Sequence, residues 1–463
     1  MNIDQIAELS LQELQDAFVG SEVSPVEIMQ VSLDQNEAVN GQINALYDVR
    51  VEAAIKEARQ AEKRYSKKTN IGPFDGVPVT IKDSVNAVGM QWFHGSAIHG
   101  EGLVATKDSP PAARLKQAGA IIIGKGVMPD FGLSASGVSG SHGIVRNPWG
   151  RNWSTGGSSA GCGASLAAGI GMMSVGADIA GSLRLPASHC GLASLKPTQG
   201  VVPHAPASTV RSAGPMTRLA ADLKAWTVLL GGQDDDDRYS VPLTENKSIN
   251  QARVGASADF GFGPAVEPAV QRCFESVKSI LADLVGTVRD VEAKAEYDPF
   301  IAIDDSLKIK GWQEYAGADP SLKCKTPDEL FQWFKEAEDW TPTKYGSINK
   351  GIERGVAFCL ELFADVDILL TPVMPVVNFH AEARGIDTLM PLRHSTFTSL
   401  FNQSGNPAVS ICGGFDERGL PIGMQIVGKR FDDLRILDLA IELEAALDLF
   451  GSGKHQWPTT PVI

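Results

Sequence analysis

GVPVTIKDS (Gly76 to Ser84) sets Lys82 at the end of an apolar run that reads as a strand. Removal from water disfavours the ammonium form, lowers the pKa and leaves a neutral amine that can act as a base. A strand-end lysine is ordinarily just an exposed charge, but this one has company. Ser158 and Ser159 lie in a glycine-rich turn, and Ser182 lies further on in GADIAGSLRLPA (Gly176 to Ala187). Two serines and a lysine can form a proton relay in which the base activates one hydroxyl through the other. The eight histidines offer no triad partner at recognisable spacing, and His189, near Ser182, reads as packed rather than catalytic.

Of the 27 residues from Gly156 to Ser182, 19 are Gly, Ala or Ser. So many small side chains let backbone N–H groups converge on one point, as an oxyanion or anion site requires. They equally suit a small-residue helix packed closely on a sheet, and composition leaves both readings open. Three other motifs compete. GAIIIGK (Gly119 to Lys125) has phosphate-loop spacing, but Gly126 stands where a Ser or Thr would hold magnesium and four apolar residues fill the loop, so it reads as a strand. Gly157 to Gly161 satisfies GxSxG, yet the preceding RNPWGRNWST is a polar loop where a nucleophile elbow needs a buried strand. The run Asp234 to Asp237 lacks the spacing and late Glu of a calcium loop and reads as a solvated turn.

The elements that must position these residues alternate. Val77 to Ile81 reads as a strand, Pro110 to Ala118 as a helix ended by Gly119, and Ala120 to Ile123 as a strand. Near the end, Asp367 to Leu370, Ala408 to Cys412 and Met424 to Val427 read as buried strands and Asp432 to Leu447 as a closing helix. The expected fold is α/β, one large domain over 1–463, with a central, mostly parallel mixed twisted sheet covered by helices on both faces. Residues 1–70 read as a helical scaffold, with a capping box at Ser24 and Glu27. Residues 293–351, rich in charge and aromatics without a clear strand, read as a variable insertion forming part of the pocket wall.

With 43% hydrophobic and 21% charged residues, the chain has ordinary globular composition, which excludes disordered and collagen-like classes. A net charge of -14 and no basic block disfavour nucleic acid as a direct partner. The stretch Ala164 to Ala177 is too short and too interrupted to span a membrane. MNIDQIAELS lacks the features of a secretory signal and reads as the start of the folded chain, so the cytoplasm is the expected address. Six dispersed cysteines without CxxC spacing read as free thiols rather than zinc ligands. A homodimer is the default expectation for assembly.

At the lysine and serine segments the sequence resembles the amidase signature family, whose members hydrolyse amides with a Ser-cis-Ser-Lys triad. The resemblance rests on GVPVTIKDS, GGSSAGCGASLAAG (Gly156 to Gly169) and GADIAGSLRLPASHCGLASLKPT (Gly176 to Thr198). It extends to GKGVMPDFGLSAS (Gly124 to Ser136), NPW (Asn147 to Trp149), GPMTR (Gly214 to Arg218), and FNQSGNPAVS with GLPIGMQIVG (within Phe401 to Gly428). It implies Lys82 as base, Ser158 as bridging serine after a cis Gly157–Ser158 peptide, and Ser182, 24 residues on, as nucleophile. It further implies an oxyanion hole from the N–H groups of Ile179, Ala180, Gly181 and Ser182, support from Ser159, Asp178 and Arg184, and no metal or cofactor. The implied substrate is a small-molecule amide cleaved to an acid plus ammonia or an amine.

Ala160, Ala177 and Ala180 depart from the family pattern, Ala180 at the first glycine of its nucleophile turn. The expectation is that position 180 tolerates an L-residue. A second reading is the glutaminase subunit of a tRNA-dependent amidotransferase, which needs a partner chain and usually has Gln where Leu185 stands. A third is an inactive amidase-like binding protein. Phe131 to Ser136 and the middle region are the expected walls of the acyl pocket. They carry no clear charge code, so aliphatic, aryl, peptide-terminal, carbamoyl and hydrazide substrates all stay open.

Overall fold

Strands in this chain are short and often apolar on both sides, because most are covered twice. In chain order the main sheet comprises β1 Leu46–Tyr47, β2 Pro78–Lys82, β3 Ile121–Gly126, β4 Met173–Asp178, β5 Ala193–Lys196, β6 Ser212–Thr217, β7 Val254–Ala256, β8 Val288–Asp290, β9 Ile368–Pro372, β10 Ala408–Phe415 and β11 Pro421–Gly428. Their spatial order is β1-β3-β2-β4-β6-β5-β10-β11-β9-β7-β8. This computed structural model describes residues 3–245, 247–450 and 455–462. Met1 and Asn2, the first residues of the segment expected to open the folded chain, lie outside them.

The chain is one large α/β domain on a mixed sheet, as expected, but the expectation that the sheet is mostly parallel needs correction. Parallel pairing is confined to two blocks, β3-β2-β4 and β9-β7-β8. The strands between them pair antiparallel. The reason is connection length: β10 and β11 are joined over residues 416–420, far too few for the crossover that parallel neighbours need.

Each outer block buries both faces. In β3, Ile122 packs into a core with Leu115 and Trp226, whereas Ile121 and Ile123 pack with Met29, Ala54 and Ala160 on the other side. In β9, Leu369 faces a cluster with Phe300 and Phe358, and Ile368 and Leu370 face one with Phe274 and Leu443. Two covered faces explain why GAIIIGK is continuously apolar rather than alternating. The run is β3 and its approach, not a phosphate loop.

The first seventy residues form the helices Ile3–Glu8, Leu11–Gly20, Pro25–Ile43 and Val51–Ser66, with the Ser24–Glu27 capping box formed reciprocally. The short strand β1, absent from the sequence reading, interrupts them and pairs with β3. Residues 293–351 hold the helices Phe300–Gly317 and Asp328–Phe334 and the start of Pro342–Leu362, with no strand among the described residues.

The small-residue segment serves close packing directly. After β3, the helix Ala160–Ala167 sits so near the strand end that Gly161 donates its N–H to Val127 O at 2.8 Å. A Cβ on Gly161 would lie 2.1 Å from Ala45 O and 2.4 Å from Val127 N, both backbone atoms. Gly161→Ala is therefore expected to destabilise the fold by about 1–3 kcal/mol, by forcing backbone apart rather than by helix propensity. The thermal unfolding midpoint against wild type measures this, and an unchanged midpoint would contradict the packing.

Candidate active site

Lys82 is the last residue of β2, and its strand lies parallel to β4 with Ile81 opposite Val175. The carboxyl ends of both strands therefore open at one level, where side chains of α/β sheets meet ligands. Lys82 is 2% exposed, and its Nζ lies 2.8 Å from Ser158 Oγ and 3.2 Å from Ala177 O. Burial pulls its pKa down to about 8, so a neutral amine is accessible near physiological pH. Burial alone does not single it out, because Lys125 is held at about 8 and Lys196 at about 7 by the same cause. Those two spend their amines on backbone carbonyls, of Asp83 and Val85 for Lys125 and of Pro197 for Lys196. Lys82 faces a serine.

Ser158 Oγ lies 2.9 Å from Ser182 Oγ, so the three expected residues form one continuous hydrogen-bonded chain. The Gly157–Ser158 peptide is cis, as the resemblance implies. Gly157 has no room for a side chain, since a Cβ would meet Ser136 O at 2.4 Å. Ser159 occupies the N-cap position of the helix Ala160–Ala167, and its N–H donates to Ser182 O at 3.2 Å. It ties the two serine turns together through backbone. GxSxG geometry is absent here, because the preceding strand, Gly150–Ser154, belongs to a two-stranded ribbon outside the main sheet.

Asp178, at the end of β4, braces the turn that carries Ser182. Its carboxylate accepts from Gly181 N at 2.7 Å and Leu183 N at 3.2 Å, and Arg184 pairs with both of its oxygens at 3.0 Å. Burial alone would raise the Asp178 pKa, but the Arg184 guanidinium, with Lys196 and Asn402, outweighs it and holds it at about 2. The sequence reading missed two further members. Asn402 Nδ2 donates to Asp178 Oδ1 at 2.9 Å, and Arg184 donates to Asn402 Oδ1 at 2.7 Å and Gln425 Oε1 at 3.1 Å. Both lie in the late blocks FNQSGNPAVS and GLPIGMQIVG, where the signal was present without a role.

Gly181 corrects one expectation. Its N–H, proposed for the oxyanion hole, is taken by Asp178. Among the described residues no backbone or side-chain acceptor engages the N–H groups of Ile179, Ala180 and Ser182. The left-handed residue of the turn is Gly181, at φ 122°, and Ala180 has no positive φ. Alanine at 180 therefore strains nothing.

A cavity of about 480 Å³ opens over this relay, lined at its floor by Lys82, Ser158, Ala177 and Ile179. Ser182 lies just behind Ser158, 2% exposed. Of the expected wall Phe131 to Ser136, Phe131, Gly132 and Leu133 line the cavity, whereas Ser134 and Ser136 bond to each other away from it. From the middle region Lys310, Gln313 and Glu314 reach it, and the Phe131 ring meets Phe334 at 6.2 Å. Glu314 accepts from His94 and His99. His189 packs edge-on against Phe379, and burial drops its pKa to about 3. Asp234 and Asp236 pair with Arg114 and Lys107 in a surface turn. All six cysteines are free thiols, and among the described residues no helix is long and apolar enough to cross a membrane.

Comparison with known proteins gives the fold and the family. A glutamyl-tRNA(Gln) amidotransferase subunit from Geobacter sp. (strain M21) is 31% identical over 478 residues, covering 95% of this chain and 97% of that protein. Among solved structures, a bacterial aryl acylamidase of the amidase signature enzymes superposes with a TM-score of 0.89 at 22% identity, over 98% of this chain and 99% of its own. A 6-aminohexanoate cyclic dimer hydrolase follows at TM-score 0.84 and 24% identity, over 95% and 97%. The model of the Amidase family matches residues 27–301 and 347–437, with 302–346 unmatched between the two segments. With the relay, the braced turn and a family match over most of its length, the chain belongs to the Amidase family.

Proposed function

We propose that this protein hydrolyses a carboxylic amide, or a closely related acyl–nitrogen bond, to an acid plus ammonia or an amine through a seryl acyl-enzyme. The observation that carries this reading is the unbroken chain from Lys82 through Ser158 to Ser182 beneath an open cavity. Neutral Lys82 takes the Ser158 proton while Ser158 takes that of Ser182, and the Ser182 oxygen bonds to the carbonyl carbon. The N–H groups of Ile179, Ala180 and Ser182 meet the developing oxyanion. Collapse breaks the C–N bond as the relay, run in reverse, returns the proton to the leaving nitrogen. Water, deprotonated through the same relay, then displaces Ser182 and releases the acid. Every proton has a named carrier, so the scheme needs no cofactor.

The similarity to the tRNA-dependent amidotransferase protein favours a second reading, a glutaminase working with partner chains. Glutamine hydrolysis by the isolated chain, and its elution alone or with partners in gel filtration, separate the two. An inactive binding protein is disfavoured by the turn itself, because the alanine at position 180 leaves its N–H unengaged.

Ser182→Ala and Lys82→Ala are each expected to lower kcat/KM on a responsive amide by at least roughly 10²–10⁴-fold with the fold intact, as circular dichroism would check. Wild type should be labelled at Ser182 by a fluorophosphonate, and an active Ser182→Ala variant would end the proposal. The pH dependence follows from the sign of the Lys82 shift. The reactive form is the neutral amine, so kcat/KM should fall as pH drops through about 8 and level off above it. A flat profile from pH 6 to 9 would contradict Lys82 as the base.

A further inference from the structure

Arg211 immediately precedes β6, whose Ser212 pairs with Asp178, the residue before Ile179. This register runs the Arg211 backbone alongside the approach to the Ser182 turn, and Arg211 lines the cavity. Its Nη2 donates to Pro206 O at 2.8 Å, but its Nε–H is buried without any partner. Among the described residues no carboxylate lies within ion-pair distance of it. The two whose fields reach it, Glu314 and Asp237, are committed elsewhere. Glu314 accepts from His94 and His99, and Asp237 accepts from the backbone N–H groups of His204 and Tyr239.

A second cation shares the cavity. Lys310, on the helix Phe300–Gly317, lines its rim and likewise makes no ion pair among the described residues. Its surroundings, and after them the charge of Arg211, pull its ammonium below the ordinary lysine range, so the two cations lie in one field. Like charges held together in a partly desolvated cavity repel, and an unpaired buried N–H costs free energy. A bound anion relieves both. The other lysine of the cavity, Lys82, is committed to Ser158, and Met128, Phe131, Leu133 and Ile179 supply an apolar wall beside it.

We infer that the substrate is an amide carrying a free carboxylate, which Arg211 and Lys310 hold at one side of the cavity while the acyl carbon rests at Ser182. This assignment rests on the amide-hydrolase reading and adds the substrate class. The planar guanidinium presents two parallel N–H donors suited to a carboxylate, and Lys310 adds a point charge at the entrance. Lys310 lies within the 302–346 segment outside the family match, so this part of the selectivity belongs to this chain rather than to the shared relay.

The test compares the monoamides of succinic, glutaric and adipic acids, and N-acetylglycine, with neutral amides of equal size. The expected result is at least tenfold higher kcat/KM for one or more of the carboxylates, a preference that shrinks as ionic strength rises. Arg211→Gln should collapse that ratio at least tenfold. Lys310→Met, on an exposed helix face, should lower it in the same direction and serves as the second variant should Arg211→Gln fold poorly. In the Ser182→Ala protein, calorimetry should find the favoured carboxylate bound more tightly than its neutral counterpart. Equal or better hydrolysis of the neutral amides, or equal binding, overturns the inference and leaves amide hydrolysis standing. No turnover of any amide together with an unlabelled Ser182 overturns the hydrolase reading instead, while the binding comparison still judges the anion site.

Discussion

An amine kept out of water at the end of a covered strand is the constraint on which the site depends. In water Lys82 would be an ammonium at any physiological pH, unable to act as the base of the proposed relay. Burial supplies the shift, but burial also disfavours leaving an N–H group unbonded, so the amine needs acceptors that do not stabilise its charge strongly. A serine hydroxyl and the Ala177 carbonyl are such acceptors. A carboxylate in their place would hold the ammonium charged and stop the chemistry. The contrast with Lys125 and Lys196 is instructive, since all three are buried and shifted downward, and only the geometry of the acceptor distinguishes a base from a structural donor.

The charges needed nearby are handled by neutralising them within one network. Asp178 would be costly alone at the end of β4, yet Arg184, Asn402 and two backbone N–H groups occupy its oxygens. The carboxylate field is thereby spent on fixing the nucleophile turn, and it consumes the Gly181 N–H that would otherwise point toward substrate. Three N–H groups of the turn, those proposed to meet an oxyanion, stay without a protein acceptor beside that bracing. The small residues have a related origin. Gly132 lies close enough that a Cβ would stand 3.2 Å from Ser158 Oγ, Gly157 abuts the Ser136 backbone, and Gly161 abuts β3 and the Ala45 carbonyl. The two readings of the Gly/Ala/Ser-rich segment, tight packing and a catalytic turn, are therefore one feature, because the turn sits where it does only through that packing.

Much of this was legible in the sequence, for identifiable reasons. Lys82, Ser158 and Ser182 sit in dense, ordered motifs whose spacing survives folding, and strands such as β3 and β9 announce themselves by continuous apolar runs. What escaped was set by pairing partners. Whether β4 runs beside β6 or β2, and in which direction, depends on contacts that alternation alone does not encode, so the antiparallel centre of the sheet was missed. Asn402 and Gln425 stood in quoted blocks, but their role requires knowing that β11 and the helix Thr396–Gln403 come to rest against Arg184. Arg211 gave no signal, because a lone arginine before a strand is ordinary until its carboxylate neighbours prove to be occupied.

The two halves of the cavity then differ in kind. Its floor is built from strand ends and tight glycine turns, where one displaced atom would break the relay, and this part falls within the matched family segments. Its far wall comes from a helix, Phe300–Gly317, whose exposed residues can change without disturbing the sheet. Such a division lets substrate preference vary while the proton path stays fixed. Among the described residues neither Arg211 nor Lys310 hydrogen-bonds Lys82, so the proposed anion site and the proposed relay use different side chains. The charge of Arg211 acts on the Lys82 amine in the same direction as burial, favouring its neutral form.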